Sequence, residues 1–358
     1  MAAKILIIGV GDMAQQLAHW LGASPLVDEL ILASRNRERG QAVADLAAAC
    51  HPCRYRFIEL DGTDQDAVER IIEQTEPTLI LQNASLIGPW ALVERGDERS
   101  ARLFSVGLGP QLPAQLPVVT ATMRAVKAVG FERPVVNLSL PDITNPVLAK
   151  LGLAPTVGLG NSGMVQLRVR AALLARDDIS IDEVPLIRVI AHHIQTGVSM
   201  MSDLPEDPED RCRVYLGEEG TRADELAYAG PSLGRGMLNN VSTTAASWPV
   251  LLALLPGGPD LRASMPGFGG LPGGYPLRID AQEISLDLPP GVTLDDARAY
   301  NERMARKDGI EAIDDDGTVR FTPRVAEVMA EFDPELAEPL RMDDVWARYQ
   351  RLRRVLDV

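Results

Sequence analysis

The sequence predicts an α/β protein, with a doubly wound parallel sheet in its N-terminal part and an α+β domain after it. Three observations carry this. The chain opens on a short apolar run, KILIIGV at 4–10, of the kind buried on both faces of a parallel sheet. Strand-like runs then alternate with helix-like stretches to about residue 142, the pattern of repeated β-α units. The 358 residues, 46% hydrophobic and 24% charged, suffice for two domains with cores of their own. The boundaries expected are 1–145 for the first and 146–358 for the second.

The first strand runs into Gly9, Gly11 and Ala14, a G-x-G-x-x-A series that leads into the helical stretch AQQLAHWLG. Gly9 permits the tight turn, Gly11 lets a pyrophosphate approach the backbone, and Ala14 lets the helix pack close to the strand. The helix N-terminus carries the partial positive charge such an anion needs, with Asp12 and Met13 at its start. This is a Rossmann dinucleotide site. The second strand, ELILAS at 29–34, ends without the acidic residue that binds an NAD ribose. Ser34, Arg35 and Arg37 stand there instead, and two guanidiniums with a hydroxyl suit a phosphate dianion. The cofactor expected is NADP(H).

The third strand, RYRFIEL at 54–60, ends at Asp61, placed near the adenine. A helix over 64–74 follows, then the strand TLILQNAS at 78–85, whose Asn83, Ala84 and Ser85 fall beside the nicotinamide ribose. A helix over 118–130 and a strand within 134–142 complete the half, with Asn137 at the strand end.

Two resemblances follow from these residues. The segment from 4 to about 85 resembles the NADP-binding domain of saccharopine-dehydrogenase-like reductases, through ILIIGVGDMAQQLAHWL, LASRNRER and the strand ending LQNAS. From about 107 onward the order of features is similar to the lactate/malate dehydrogenase superfamily. Asn137 ends a strand, VGLGNSGMVQLRVRAALLA at 157–175 takes the place of the active-site helix, and LIRVIAHHIQTG at 186–197 brings His193 to the catalytic histidine's position. NNVSTTAASWPVLLALL at 239–255 resembles that family's closing helix. The family's Asp partner for the histidine is missing, with Asn161 nearest its place. Its substrate-binding Arg is replaced by Met164, and the nearest arginine is Arg168.

Hydride transfer to a carbonyl or imine needs one proton donor or acceptor at the reacting heteroatom, and imidazole titrates near neutrality. The catalytic set expected is therefore His193, Asn161 and Arg168, with His192 pointing away if the strand continues through the pair. Asn137 and Asn161 suit a carboxamide or a polar substrate group. The last seventy or so residues read as a cap or a dimer surface, without chemistry of their own.

Composition narrows the partners. A net charge of −15 argues against nucleic acid and anionic membrane. Cys50-His-Pro-Cys53 closes a helix rather than opening one, and too few soft ligands remain for zinc, so no metal is expected. No signal peptide or apolar run of about 18 residues is evident, so a cytoplasmic location is expected. The function expected is an NADP(H)-dependent oxidoreductase acting on a small carbonyl, hydroxyl or imine compound, as a homodimer or other homo-oligomer. The alternatives are a saccharopine- or opine-type imine reductase, and a non-catalytic NADP-sensing protein.

Overall fold

The structure, a computed structural model, describes residues 3–199, 203–233 and 237–357. The N-terminal half runs β1 (Ala3–Ile8), α1 (Asp12–Gly22), β2 (Val27–Ser34), α2 (Arg37–Cys50), β3 (Arg54–Glu59), α3 (Gln65–Thr75) and β4 (Leu79–Gln82). It continues through two short helices, α4 (Ala91–Arg95) and α5 (Glu98–Phe104), to α6 (Leu112–Ala128), β5 (Val135–Asn137), α7 (Pro141–Lys150) and β6 (Val157–Gly158). The six strands form one sheet in the order β3-β2-β1-β4-β5-β6, and every pairing in it is parallel. That is the Rossmann order, and it reverses direction between β1 and β4.

Strand β1 shows why this sheet is buried on both sides. Successive side chains face opposite ways, and both ways are apolar. Ile5 and Ile7 pack with Leu17 and Leu21 of α1, while Leu6 and Ile8 pack with Ile71 and Ile72 of α3 and Val119 of α6. Asn36 caps α2 by accepting the Arg39 N–H at 2.9 Å, and Asp64 caps α3 through Ala67 at 3.0 Å.

The second half begins with α8 (Ser162–Leu174) and β7 (Ile187–Ile190), which pairs with β8 (Arg213–Leu216) and β9 (Thr221–Arg222). Helix α9 (Met237–Ala253) leads to the antiparallel sheet β10 (Leu261–Pro266), β11 (Gly274–Asp280) and β12 (Glu283–Leu286). Then come α10 (Leu294–Lys307), the hairpin β13 (Ile310–Ile313) and β14 (Val319–Phe321), and α11 (Pro323–Ala330), α12 (Pro334–Ala337) and α13 (Val345–Leu356). The halves interlock. Val250 to Leu255, at and just past the end of α9, share a core with β1 and α1, and Leu352 and Leu356 of α13 share one with Leu112 and Leu116. The parallel sheet itself reaches β6, beyond residue 145.

Two local expectations are corrected. The stretch 157–175 is not one helix: β6 is followed by Gly160 (φ +90°) and Asn161 (φ +31°), and this left-handed turn delays α8 to Ser162. Strand β7 stops at Ile190, and a 3₁₀ turn begins at His193, so strand alternation does not continue through the histidine pair. Among the described residues no helix is long and apolar enough to cross a membrane, and no cluster of three ligating side chains suits a metal.

Candidate active site

A cleft of about 710 Å³ opens at the carboxyl ends of β1 and β4, where the sheet order reverses. Gly9 and Gly11 divide the work at its floor. Gly9 sits at φ +100°, and a Cβ there would lie 2.7 Å from the Ala84 Cβ, so it serves the turn and the close packing of strand ends. At Gly11 a Cβ would meet nothing within 4 Å. That backbone faces open space. Helix α1 also starts without a side-chain cap, which leaves its first N–H groups for a ligand. This floor fits the pyrophosphate of a dinucleotide.

Gly9, Gly11, Asp12, Met13, Ser34, Arg35, Asp61, Asn83, Ala84 and Ser85 all line the cleft. Asp61 is held by Thr63, whose N–H and hydroxyl donate to it at 3.0 and 2.7 Å. Burial would raise its carboxyl, but those bonds and the Arg35 charge hold it below the usual range. Asp12 accepts from Gln16 at 3.0 Å and from Asn240 of α9 at 2.7 Å, which ties the glycine turn to the second half.

Three expected site residues do not line the cleft. Arg37 turns to Glu59, donating at 2.8 Å, and Arg39 lines the cleft beside Arg35 instead. The helical turn decides this, since Arg37 and Arg39 leave α2 on different faces. Asn137 is wholly buried and donates to Thr144 at 2.9 Å and Asn145 at 2.8 Å, while its Oδ1 takes the Ser139 N–H. Its work is to fix the turn into α7. Arg168 is also wholly buried on α8, and burial lowers its proton affinity.

At the other end of the cleft lie His193 and Asn161. The His193 Nδ1 is 2.9 Å from the Asp308 Oδ2, and His192 reaches the same oxygen at 3.5 Å. Both imidazoles therefore turn to one carboxylate, contrary to the alternation expected of a strand. Asp308 follows the last residue of α10, is wholly buried, and takes the Leu108 N–H at 3.1 Å on its other oxygen. Burial alone would lower the His193 proton affinity, but Asp308 and Asp142 outweigh it and raise it above the ordinary value. The same histidines hold the Asp308 carboxyl far below its usual range, despite a burial that works the other way. Asp142, in the first turn of α7, accepts a bond from the Asn161 amide; burial pushes its carboxyl up, and His192, His193 and Asn161 oppose that shift.

Sequence reading missed Asp308 and Asp142. Asp308 did carry a signal: a carboxylate at a helix C-terminus opposes the helix dipole and needs a cation nearby. Asp142 carried none, because an Asp in a first helical turn is ordinary.

Fold and cleft together define a class: a two-part protein whose first half is built to hold a dinucleotide across a sheet switch point. Comparison with known proteins agrees. Residues 5–88 match the family model of the saccharopine dehydrogenase NADP binding domain. No curated protein matches the chain. Among solved structures, the fold is similar to a putative glucosidase from Bacillus subtilis (12% identity, TM-score 0.55, 99% of each chain covered). It is similar also to a lactate dehydrogenase from a Medee basin deep-sea metagenome library (12% identity, TM-score 0.52, covering 86% of this chain and 98% of that one). A third is the Cryptosporidium parvum lactate dehydrogenase, complexed with lactic acid and nicotinamide adenine dinucleotide (13%, TM-score 0.51, 86% and 96%). At these identities the likeness is one of fold.

Proposed function

We propose that this protein is an NADP(H)-dependent oxidoreductase that moves a hydride to or from a small polar carbonyl, hydroxyl or imine compound. One observation carries the reading: a single cleft runs from Ser34, Arg35 and Arg39, past the glycine turn, to a histidine held on a buried carboxylate. Ser34, Arg35 and Arg39 would take the 2′-phosphate, and the α1 N-terminus the pyrophosphate. The bound nicotinamide would supply or accept the hydride. His193 keeps Nδ1 on Asp308, which fixes the ring and leaves Nε2 to pass a proton to the substrate heteroatom, or to take one back. Asp308 stays ionised throughout and steadies the imidazolium.

The absence of the expected Asp and Arg near 161–168 favours a non-catalytic sensor, whereas the contact of His193 with Asp308, just after α10, supports the enzyme. A cytoplasmic homo-oligomer fits the same reading, with Leu238 and Val241 exposed on α9 as candidate contact residues. The test is a pair of fluorescence titrations with NADPH and NADH. It is followed by NADPH oxidation in the presence of 2-oxo acids, aldoses, and mixtures of 2-oxo acids with amines. Tighter binding of NADPH, with turnover of one compound class, supports the reading. Equal binding of the two cofactors removes the NADP(H) preference, and binding without turnover restores the sensor.

A further inference from the structure

Two non-glycine residues with left-handed backbone flank the catalytic end of the cleft: Leu140 (φ +48°) and Asn161 (φ +31°, ψ −99°). Each is strained and persists only where the surroundings enforce it. Between them lies Asp142, wholly buried, with Oδ2 on the Asn161 amide and Oδ1 without a hydrogen-bond partner among the described residues. An orphaned carboxylate oxygen is expensive, and so is a strained asparagine. A fold without a task for Asn161 would place glycine there, next to Gly160, at no cost.

The amide nitrogen of Asn161 carries two hydrogens, and Asp142 takes one. The other has no partner among the described residues, and Asn161 is a lining residue of the cleft together with His193. We propose that Asn161 is a second hydrogen-bond donor to the reacting carbonyl oxygen of the substrate, and that Asp142 is the positioning residue that aims it. This rests on the oxidoreductase reading and deepens it: the substrate's heteroatom is polarised by an amide and an imidazole together. In the direction of reduction, negative charge grows on that heteroatom as hydride reaches the carbon. The Asn161 N–H stabilises the charge, and the proton itself comes from His193. Asn161 transfers no proton. The substrate class that follows has a carbonyl with no bulky group beside the oxygen, because two donors must reach one atom and a carbonyl oxygen has two lone pairs where an imine nitrogen has one.

The probe is isobutyramide, whose carbonyl oxygen accepts hydrogen bonds and whose carbon resists hydride. It is titrated into the complex of the full-length protein with NADPH and read by nicotinamide fluorescence. Asn161→Gly is expected to weaken isobutyramide at least tenfold, to leave NADPH affinity unchanged, and to hold or raise the melting temperature by relaxing the φ of +31°. Asp142→Ala should weaken the probe as much, whereas Asp142→Asn, whose carbonyl still accepts from Asn161, should restore most of it. Wild-type probe affinity in Asn161→Gly overturns the proposal. So does an Asp142→Asn variant as defective as Asp142→Ala. A wild-type protein that binds NADPH but no isobutyramide also overturns it and leaves the cofactor assignment standing. A wild-type protein that binds no NADPH overturns the reading on which it rests.

Discussion

The two ends of the cleft are built on opposite plans. The cofactor end is local: Gly9 to Met13 are contiguous, and Ser34, Asp61 and Asn83 each stand at or just past the carboxyl end of a strand of the same parallel sheet. The histidine end, to which we assign the proton chemistry, is assembled from four remote segments, with Asp142 on α7, Asn161 before α8, His193 after β7 and Asp308 after α10. The first plan uses backbone N–H groups and a helix dipole, which any sequence of the right conformation supplies. The second uses buried charge, which works only when every partner is present. Damage at the first end should therefore abolish binding, and damage at the second should alter proton transfer while binding persists.

Five variants can break or sharpen that contrast, beginning with the largest effect. Gly11→Val should reduce NADPH binding by roughly a thousandfold or more with the fold intact, since its side chain would point into open cleft rather than into packed atoms. A fluorescence titration checks the binding and a melting curve the fold; normal binding would make residues 9–14 a mere turn. His193→Asn should cut turnover by roughly 10²–10⁴-fold with NADPH affinity unchanged. If His192→Asn proves the more damaging of the two, the working imidazole is the deeper one. Replacing both Arg35 and Arg39 with Ala should cost NADPH about 2–4 kcal/mol and NADH little, as two charge-assisted bonds to a dianion are lost.

Asp308→Asn should act on pH rather than on binding. Asp308 and Asp142 raise the His193 proton affinity, against its burial, and His192 is the other titratable group on the same carboxylate. The carboxylate favours the imidazolium, so its removal should move the limb of the pH–rate profile that belongs to His193 toward lower pH. A limb that stays in place means that His193 is not the group being titrated. The smallest effect belongs to Arg37→Ala. Its ion pair with Glu59 is exposed on both sides, and such pairs contribute about 0–1 kcal/mol. NADPH affinity should not change, and a drop of more than about threefold would return Arg37 to the phosphate site.

This contrast also explains what the sequence made legible. Alternating apolar runs specify β1 and β2, and the glycine series specifies the turn, because local conformation sets both. Arg35 was legible as a residue of the cleft, but which of Arg37 and Arg39 joins it there depended on Glu59, a residue on β3 that no local pattern connects to α2. Asn137 was read from its place at a strand end, yet three buried hydrogen bonds commit it to the turn into α7. The partner of His193 was out of reach for a plainer reason. Asp308 lies 115 residues further along the chain, and only the packing of α10 brings them together.

The position of Asp308 has a mechanical consequence. One of its oxygens serves His193, while the other, like its backbone carbonyl, takes the N–H of Leu108. Next along the chain, Gly309 adopts φ +93°, and a Cβ there would press to 2.5 Å from Val325 and 2.9 Å from the Val106 carbonyl. The end of α10 is thus a keystone seated between the imidazole and the segment that leads into α6. A methyl group added at Gly309, which does not line the cleft, would crowd Val325 and the Val106 carbonyl right beside the carboxylate that holds His193. Drift in this protein's chemistry can begin at a residue outside its active site.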